Sequence, residues 1–168
     1  KDLNRFFFTK LLSTAPDIIF FWVARMIMAS LEFTGKIPFN DVYFHNIIRD
    51  EKGRKMSKSL GNSPDVIDVM EEYGADALRF TIVYLAPIGT DVLFSSKNCE
   101  IGRNFANKLW NAVRFLLMKK EQAGSTNSDY EHDIFDRWIK SRLNSTIKTY
   151  IDSLNGYRIN EASKSIYD

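Results

Sequence analysis

The residues best suited to chemistry are three cations that lie within five positions of one another in a single loop. Arg54, Lys55 and Lys58 stand between Gly53 and Gly61, and two serine hydroxyls lie among them. The glycines allow unusual backbone angles and a close approach to a ligand. Cationic side chains, hydroxyls and backbone N–H groups together suit a polyanion such as a triphosphate. The loop is therefore a candidate phosphate-binding segment.

The sequence on either side predicts a strand before this loop and a helix after it. Residues 41–48 (DVYFHNII) are nearly all apolar or aromatic, as in a strand buried on both faces of a parallel sheet, and residues 50–53 favour a turn. Ser63 and Pro64 predict a helix start, with serine as the cap and proline in the first turn. Ligands of open α/β sheets bind beyond the carboxyl ends of strands, where this loop would lie.

Further elements are predicted at the front of the chain. Residues 6–13 (FFFTKLLS) favour a strand. Thr14 with Asp17 three positions later fits a capping box, so a helix is expected to begin there and to end at Gly35. The strand-helix-strand order predicts an α/β unit.

The second half of the chain predicts helices alone. Long helices are expected at residues 96–120 and 132–154, separated by a polar loop, with Gly156 as a stop and Asn160 as the cap of a third helix. Three helices without strands are typical of a bundle. The second helix is expected to turn these residues inward: Phe135, Trp138, Ile139, Leu143, Ile147, Tyr150 and Leu154.

Charge and glycine content alone leave two interpretations of the cationic loop open. A solvated basic turn explains it as well as a phosphate contact does, because the sequence is not the GxxxxGK[ST] phosphate loop. His45 and His132 are too isolated to propose a metal site. The residue types alone are therefore compatible with phosphate contact and indicate no reaction.

Several segments of the chain, beginning with the loop, resemble a known family. Residues 55–59 (KMSKS) match the motif of class I aminoacyl-tRNA synthetases letter for letter, and the flanking RD, GR and LGN are similar too. Residues 17–26 (DIIFFWVARM), 73–79 (YGADALR) and 103–112 (RNFANKLWNA) resemble the valyl-tRNA synthetases in particular. Asn46, where a glycine usually follows the histidine, and Phe8, where proline is common, depart from the family pattern.

The resemblance implies a fold and a reaction. The expected fold class is α/β, the C-terminal part of a Rossmann-like nucleotide-binding domain (residues 1–92), followed by an all-α helical bundle that begins an anticodon-binding domain (residues 93–168). The expected activity is ATP-dependent ligation of valine to tRNA(Val) through a valyl-adenylate. Lys55 and Lys58 would be catalytic, stabilising the leaving pyrophosphate. The residues implied in ATP binding are His45, Lys55, Met56, Ser57, Lys58 and Ser59.

The resemblance also implies an amino-acid pocket bordered by Ile18 and Trp22. These residues are four apart, so they would share one face of a helix. Plain core packing is the alternative for both. For Asp17, a helix cap and a substrate contact are the two alternatives. Mg²⁺ is expected on the phosphates of ATP, with no ligand evident in the sequence.

Composition sets limits on the class of protein. Apolar residues make up 45% and charged residues 26%, as in globular proteins, and the net charge of +2 leaves any RNA contact to local clusters. The longest apolar run, residues 18–31, contains Arg25 and is too short to span a membrane. The single cysteine excludes an internal disulfide. We expect a cytoplasmic monomer.

The chain is expected to be an internal piece that is inactive alone, because it lacks the HIGH motif and the first half of the nucleotide-binding fold. Three alternatives stay open at this point. They are a fragment of another class I synthetase (isoleucyl before leucyl), a non-catalytic RNA-binding helical module, and a nucleotide-binding protein that needs no tRNA.

Overall fold

A computed structural model describes residues 2–123 and 133–168. The strands of these residues are β1 (Thr9–Thr14), β2 (Phe39–Phe44), β3 (Ile48–Arg49) and β4 (Val92–Leu93). The α-helices are α1 (Asp2–Phe6), α2 (Ala24–Thr34), α3 (Val66–Tyr73), α4 (Ala75–Tyr84), α5 (Cys99–Ala123), α6 (Ile134–Asn155) and α7 (Ile159–Tyr167). Pro16–Ile18 and Ser96–Asn98 form 3₁₀ turns, and Ile19–Val23 forms a π-helical stretch.

The strands form two parallel pairs. β1 pairs with β2, and β3 pairs with β4. The prediction of one strand over residues 41–48, buried on both faces, is wrong in extent and in burial. β2 ends at Phe44, and only Phe39 within it is buried. The chain then crosses three residues before β3 pairs with β4, so two short strands replace one long one.

The front of the chain keeps the predicted order with shifted boundaries. β1 begins at Thr9, because residues 2–6 are helical. The predicted capping box at Thr14 is wrong, since Thr14 is a buried strand residue and Ala15, with no side-chain cap, precedes the 3₁₀ turn. Gly35 ends α2 as predicted, with φ of 66° and its N–H bonded to the Leu31 carbonyl at 3.0 Å.

Helix α3 begins two residues later than the sequence suggested. Asp65, not Ser63, is the cap, and its carboxylate accepts a hydrogen bond from the Ile67 N–H at 2.8 Å. Gly74 ends α3 as predicted, at φ of 95°.

A small core holds the loop region to the helices. Its buried members come from α3, α4 and the segment at the start of α5, and partly buried neighbours from β3, the loop, α3 and α4 complete it. They are Val69, Leu78, Phe94 and Cys99, surrounded by Ile48, Met56, Met70, Tyr73 and Ile82. The cationic loop is therefore attached to packed protein through Met56.

The two long helices form close to their predicted bounds, but the predicted inward stripe is wrong. α6 begins with a reciprocal capping box between Asp133 and Asp136, and Gly156 follows its end. His132 and the predicted polar loop beyond residue 123 lie outside the described residues. Phe135 and Trp138 are 74% and 60% exposed. α7, with 9 residues, is too short to cover the apolar face of α6, with 22.

Asn160 does not cap its own helix. Arg158 precedes α7, and the buried Asn160 side chain donates instead to the carbonyls of Val83 and Tyr84 at the end of α4. Carbonyls at a helix end have no partner within the helix, so Asn160 satisfies groups that α4 leaves free. The aromatic rings of Phe80, Tyr84, Phe105 and Tyr167 pack together and join α4, α5 and α7.

The predicted division at residues 92 and 93 falls within β4, and α4 packs against both α5 and α7. The two-domain description stays a prediction. In the part of the chain that the structure covers, no helix is both long enough and apolar enough to cross a membrane.

The contact between α4 and α5 depends on Gly102. A Cβ there would lie 2.3 Å from the Ala77 carbonyl oxygen and 2.8 Å from Thr81 Oγ1, which already accepts the Gly102 N–H at 3.2 Å. We expect Gly102→Ala to lower the free energy of unfolding by about 2 kcal/mol, because the clash outweighs the better helix propensity of alanine. Urea unfolding followed by circular dichroism measures this. The exposed Asn104→Ala on the same helix is the control, and equal stability of the two variants would contradict the prediction.

Candidate functional site

The Asp50 carboxylate organises the turn that follows β3. This side chain is nearly buried, with 8% of Asp50 exposed. Oδ1 accepts hydrogen bonds from the backbone N–H groups of Lys52 at 3.0 Å and Arg54 at 2.8 Å. Oδ2 accepts from Arg54 Nε at 2.8 Å and from Asn62 Nδ2 at 2.9 Å. We call Asp50, Arg54 and Asn62 the Asp50 network.

These contacts favour the ionised carboxylate. The hydrogen bond from Asn62 lowers the pKa of Asp50 most, and those from Arg54 add to it, so the pKa lies well below its ordinary value although burial opposes the shift. A group whose pKa is depressed by folding stabilises the fold at neutral pH. That contribution is lost only as the pH falls toward the depressed pKa. The network is therefore intact throughout the physiological range.

Asn62 links this network to the lysine segment. Its Nδ2 also donates to the Lys55 carbonyl at 3.2 Å, and its Oδ1 accepts the Ser57 N–H at 2.9 Å. One amide group thus holds the strand end and the backbone on both sides of Met56. Lys55 is additionally paired with Arg49 in an isolated antiparallel bridge.

Lys55 and Lys58 present their side chains to solvent. Both residues are exposed, and neither forms an ion pair with a carboxylate within residues 2–123 and 133–168. Lys58 lies in a turn in which the Gly61 N–H bonds to the Lys58 carbonyl at 3.2 Å. Ser57 Oγ accepts the Leu60 N–H at 3.2 Å and lies 3.2 Å from Ser59 Oγ. Both ammonium groups are therefore available to a ligand.

Met56, between the two lysines, has a structural role. Its residue is half-buried, and its side chain packs against the core cluster. The predicted contact between Met56 and ATP would therefore fall to its backbone. The thioether instead anchors the middle of the loop to α3 and α4.

His45 stands at the end of β2, where its N–H extends the β1 pairing by bonding to the Thr14 carbonyl at 3.0 Å. The exposed imidazole Nδ1 lies 3.1 Å from the Asn46 carbonyl, and His45 lines a cavity of about 530 Å³. Asn46 donates its side-chain amide to the carbonyls of Pro87 and Thr90. Within the described residues only Tyr157 among non-glycines has positive φ, so asparagine fits this position without strain.

Ile18 and Trp22 do not share a regular helix face. Ile18 ends the 3₁₀ turn, and Trp22 lies in the π-helical stretch. Residues four apart share a face only in a regular α-helix, and neither segment has the α-helical period. The side chains are 40% and 55% exposed, so they are not packed in a core of the described residues. Their part in an amino-acid pocket stays a prediction. Asp17 does not cap a helix through its side chain, since no such bond forms.

Sequence reasoning missed two features of this region. Arg49 forms an ion pair with Asp91, whose hydrogen bond and charge raise the pKa of Arg49, and the charge of Asp17 adds to the effect. This pairing joins β3 to the segment before β4, and no local pattern indicates it. The role of Asp50 could have been found, because aspartate readily bonds the backbone two residues on in a turn that contains glycine.

The sequence model of the family "tRNA synthetases class I (I, L, M and V)" matches residues 1–95. The chain is 50% identical to the valine–tRNA ligase of Chlorobaculum tepidum, and the match covers 99% of this chain and 20% of that relative. It is 50% identical to the valine–tRNA ligase of Fusobacterium nucleatum, covering 100% of itself and 19% of the relative. The chain thus spans about a fifth of the length of these relatives.

Solved structures share the fold. A ternary LeuRS–tRNA–LeuAMS complex from Agrobacterium radiobacter K84 superposes with a TM-score of 0.80 at 20% identity, over 94% of this chain and 21% of the other. The methionyl-tRNA synthetase of Mycobacterium tuberculosis in complex with methionyl-adenylate gives a TM-score of 0.76 at 25% identity, over 94% of this chain and 31% of the other. Because the family match covers residues 1–95, more than half of the chain, the chain belongs to the class I tRNA synthetases of the I, L, M and V group.

Proposed function

We propose that this chain supplies the pyrophosphate-binding loop of an enzyme that activates valine with ATP and transfers it to tRNA(Val). The observation that carries the proposal is the position of Lys55 and Lys58. Both are exposed and free of carboxylate partners in the described residues, on a loop fixed at the carboxyl end of β3. The similarity to valine–tRNA ligases over the whole chain supports valine as the amino acid.

In the activation step the valine carboxylate attacks the α-phosphorus of ATP, and the bond to pyrophosphate breaks. Negative charge grows on the leaving oxygens as that bond lengthens. Ammonium groups held at those oxygens stabilise the transition state more than the ground state, which is the requirement for catalysis. Lys58 and Lys55 have this role in the proposal. Asn62 and the Asp50 carboxylate hold the backbone of the loop, and no carboxylate of the described residues forms an ion pair with either lysine.

The remaining ATP contacts are assigned by position. Ser57 and Ser59 place two hydroxyls 3.2 Å apart beside Lys58, where they can donate to phosphate oxygens. The backbone of Met56 and the exposed ring of His45 are proposed to meet the nucleoside. Mg²⁺ would arrive on the phosphates, since the described residues hold no cluster of three or more His, Cys, Asp or Glu side chains for it.

The wall of the amino-acid pocket is proposed to include Ile18 and Trp22. Both belong to the irregular segment between β1 and α2, and both keep apolar surface exposed. An apolar wall of fixed size discriminates against one extra methylene by about 1–3 kcal/mol. Such a wall would favour valine over isoleucine.

The helical half is proposed to face the tRNA. Exposed Lys108, Arg114, Lys119 and Lys120 lie along α5, and contacts from such residues to phosphates would make binding sensitive to salt. A helical domain beginning near residue 93, a monomeric enzyme and a cytoplasmic location complete the proposal.

The first test removes one lysine from the full-length protein. We expect Lys58→Ala to lower the rate of valine-dependent ATP–pyrophosphate exchange by about 100-fold, because it removes a donor aimed at the leaving group, while valine affinity changes little. Lys52→Ala removes another exposed lysine from the preceding turn and serves as the control. An exchange rate for Lys58→Ala equal to that of the control would contradict the catalytic assignment.

Comparing exchange with valine, isoleucine, leucine and methionine in the wild type identifies the amino acid.

The second test concerns amino-acid selection. We expect Trp22→Ala to lower the ratio of kcat/KM for valine to that for isoleucine about ten-fold, because removing the indole enlarges the pocket. Phe33→Ala, which truncates a largely exposed aromatic residue on the following helix α2, is the control. An unchanged ratio in Trp22→Ala would place this residue outside the pocket.

A further inference from the structure

We propose that Asn62 is a positioning residue for the activation step, acting through the lysine loop without touching substrate. This inference rests on the proposed function and names the device that sets Lys55 and Lys58 at the site. It depends on the three hydrogen bonds that the Asn62 side-chain amide forms at once.

The first direction is toward the strand end. Asn62 Nδ2 donates to Asp50 Oδ2 at 2.9 Å, and this carboxylate is fixed by the backbone N–H groups of Lys52 and Arg54 and by the Arg54 side chain. Asp50 is the only acidic residue that is buried among those described. Asn62 is therefore attached to a rigid, charged point that stays ionised.

The other two directions are toward the lysine segment. Asn62 Nδ2 donates to the Lys55 carbonyl at 3.2 Å, and Oδ1 accepts the Ser57 N–H at 2.9 Å. Met56 lies between these two contacts and packs inward. The amide thus fixes the backbone on both sides of the one loop residue that is anchored in the core.

The two lysines depend on Asn62 to different degrees. Lys55 has a second attachment, its bridge to Arg49. Lys58 lies farther out, in a turn closed by Ser57 Oγ and by the Gly61 N–H, and these contacts stay within the loop. The Ser57–Asn62 bond is therefore the link that joins the Lys58 turn to the strand end. Losing it releases Lys58 more than Lys55.

A positioning role predicts a particular kinetic pattern. A misplaced ammonium group loses its contact with charge that develops only in the transition state, so kcat falls while KM for valine stays nearly constant. Moving a reacting group by about 1 Å can cost on the order of 100-fold. We expect Asn62→Ala to lower kcat for pyrophosphate exchange between 10- and 100-fold.

The decisive experiment is a double-mutant cycle in the full-length protein. Pyrophosphate exchange is measured for wild type, Asn62→Ala, Lys58→Ala and the double variant, with thermal midpoints for each. If Asn62 acts through Lys58, the double variant is only slightly slower than Lys58→Ala alone, because that lysine is already gone. If Asn62 only supports the fold, the two losses multiply, and this outcome overturns the inference.

Two further variants complete the design. Asn62→Asp keeps the acceptor for the Ser57 N–H, loses the donor to Asp50 and places two carboxylates together, so it should lose kcat as well. Asp65→Ala removes the cap of α3 next to the loop and is the matched control: it should lower the thermal midpoint and leave kcat unchanged.

The possible outcomes separate the two proposals. A wild-type rate for Lys58→Ala overturns the proposed function, and this inference with it. A slow Lys58→Ala together with a wild-type rate for Asn62→Ala overturns this inference alone. Failure of both Asn62 variants to fold, while Asp65→Ala folds, also overturns it, because Asn62 would then be a folding residue.

Discussion

The Asp50 carboxylate is the point on which the geometry of the loop depends. A buried carboxylate is costly unless its oxygens accept hydrogen bonds. Here they accept hydrogen bonds from backbone N–H groups, a guanidinium and a side-chain amide. The negative and positive charges of this short segment are therefore kept apart. The negative charge is enclosed and shared among fixed donors, while the positive charges of Lys55 and Lys58 stay outside and unpaired among the described residues. A site for a polyanion needs this arrangement, because a carboxylate near the lysines would compete with the ligand.

The helices give the loop its support from behind. Met56 reaches the cluster that α3, α4 and the start of α5 share, and Gly102 lets α4 and α5 approach closely enough to form it. Asn46 and Arg49 tie the strand side to the segment before β4 through Pro87, Thr90 and Asp91. The loop is thus held from two sides by contacts between residues far apart in sequence. The chemistry proposed for the loop therefore depends on elements that carry none of it.

Local signals were reliable where one residue decides the outcome, and they failed where a distant contact decides it. Gly35 and Gly74 ended helices as predicted, both at positive φ, since backbone freedom is a property of the residue itself. Gly156 also follows the end of α6, but its φ is −89° and the positive φ falls on Tyr157. The family motif identified the loop from its letters. Asn160 and Thr14 were misassigned as caps, because each is held by a neighbour that no local pattern reveals. The apolar stripe of α6 was real as a pattern, but burial requires a covering element, and among the described residues α6 packs mainly against the short α7.

The attachment of Asn160 to the end of α4 has a consequence for how the protein is made. The carbonyls of Val83 and Tyr84 belong to a helix that leaves the ribosome some seventy-five residues before their partner does. The Val83 carbonyl also accepts the Ala86 N–H at 3.3 Å, so until then it is the Tyr84 carbonyl that is left to water at the last turn of α4. The nascent chain therefore carries an unfinished helix end through most of the translation of α5 and α6. Docking of α7 closes it, so this region matures as a unit and not in the order in which it is synthesised.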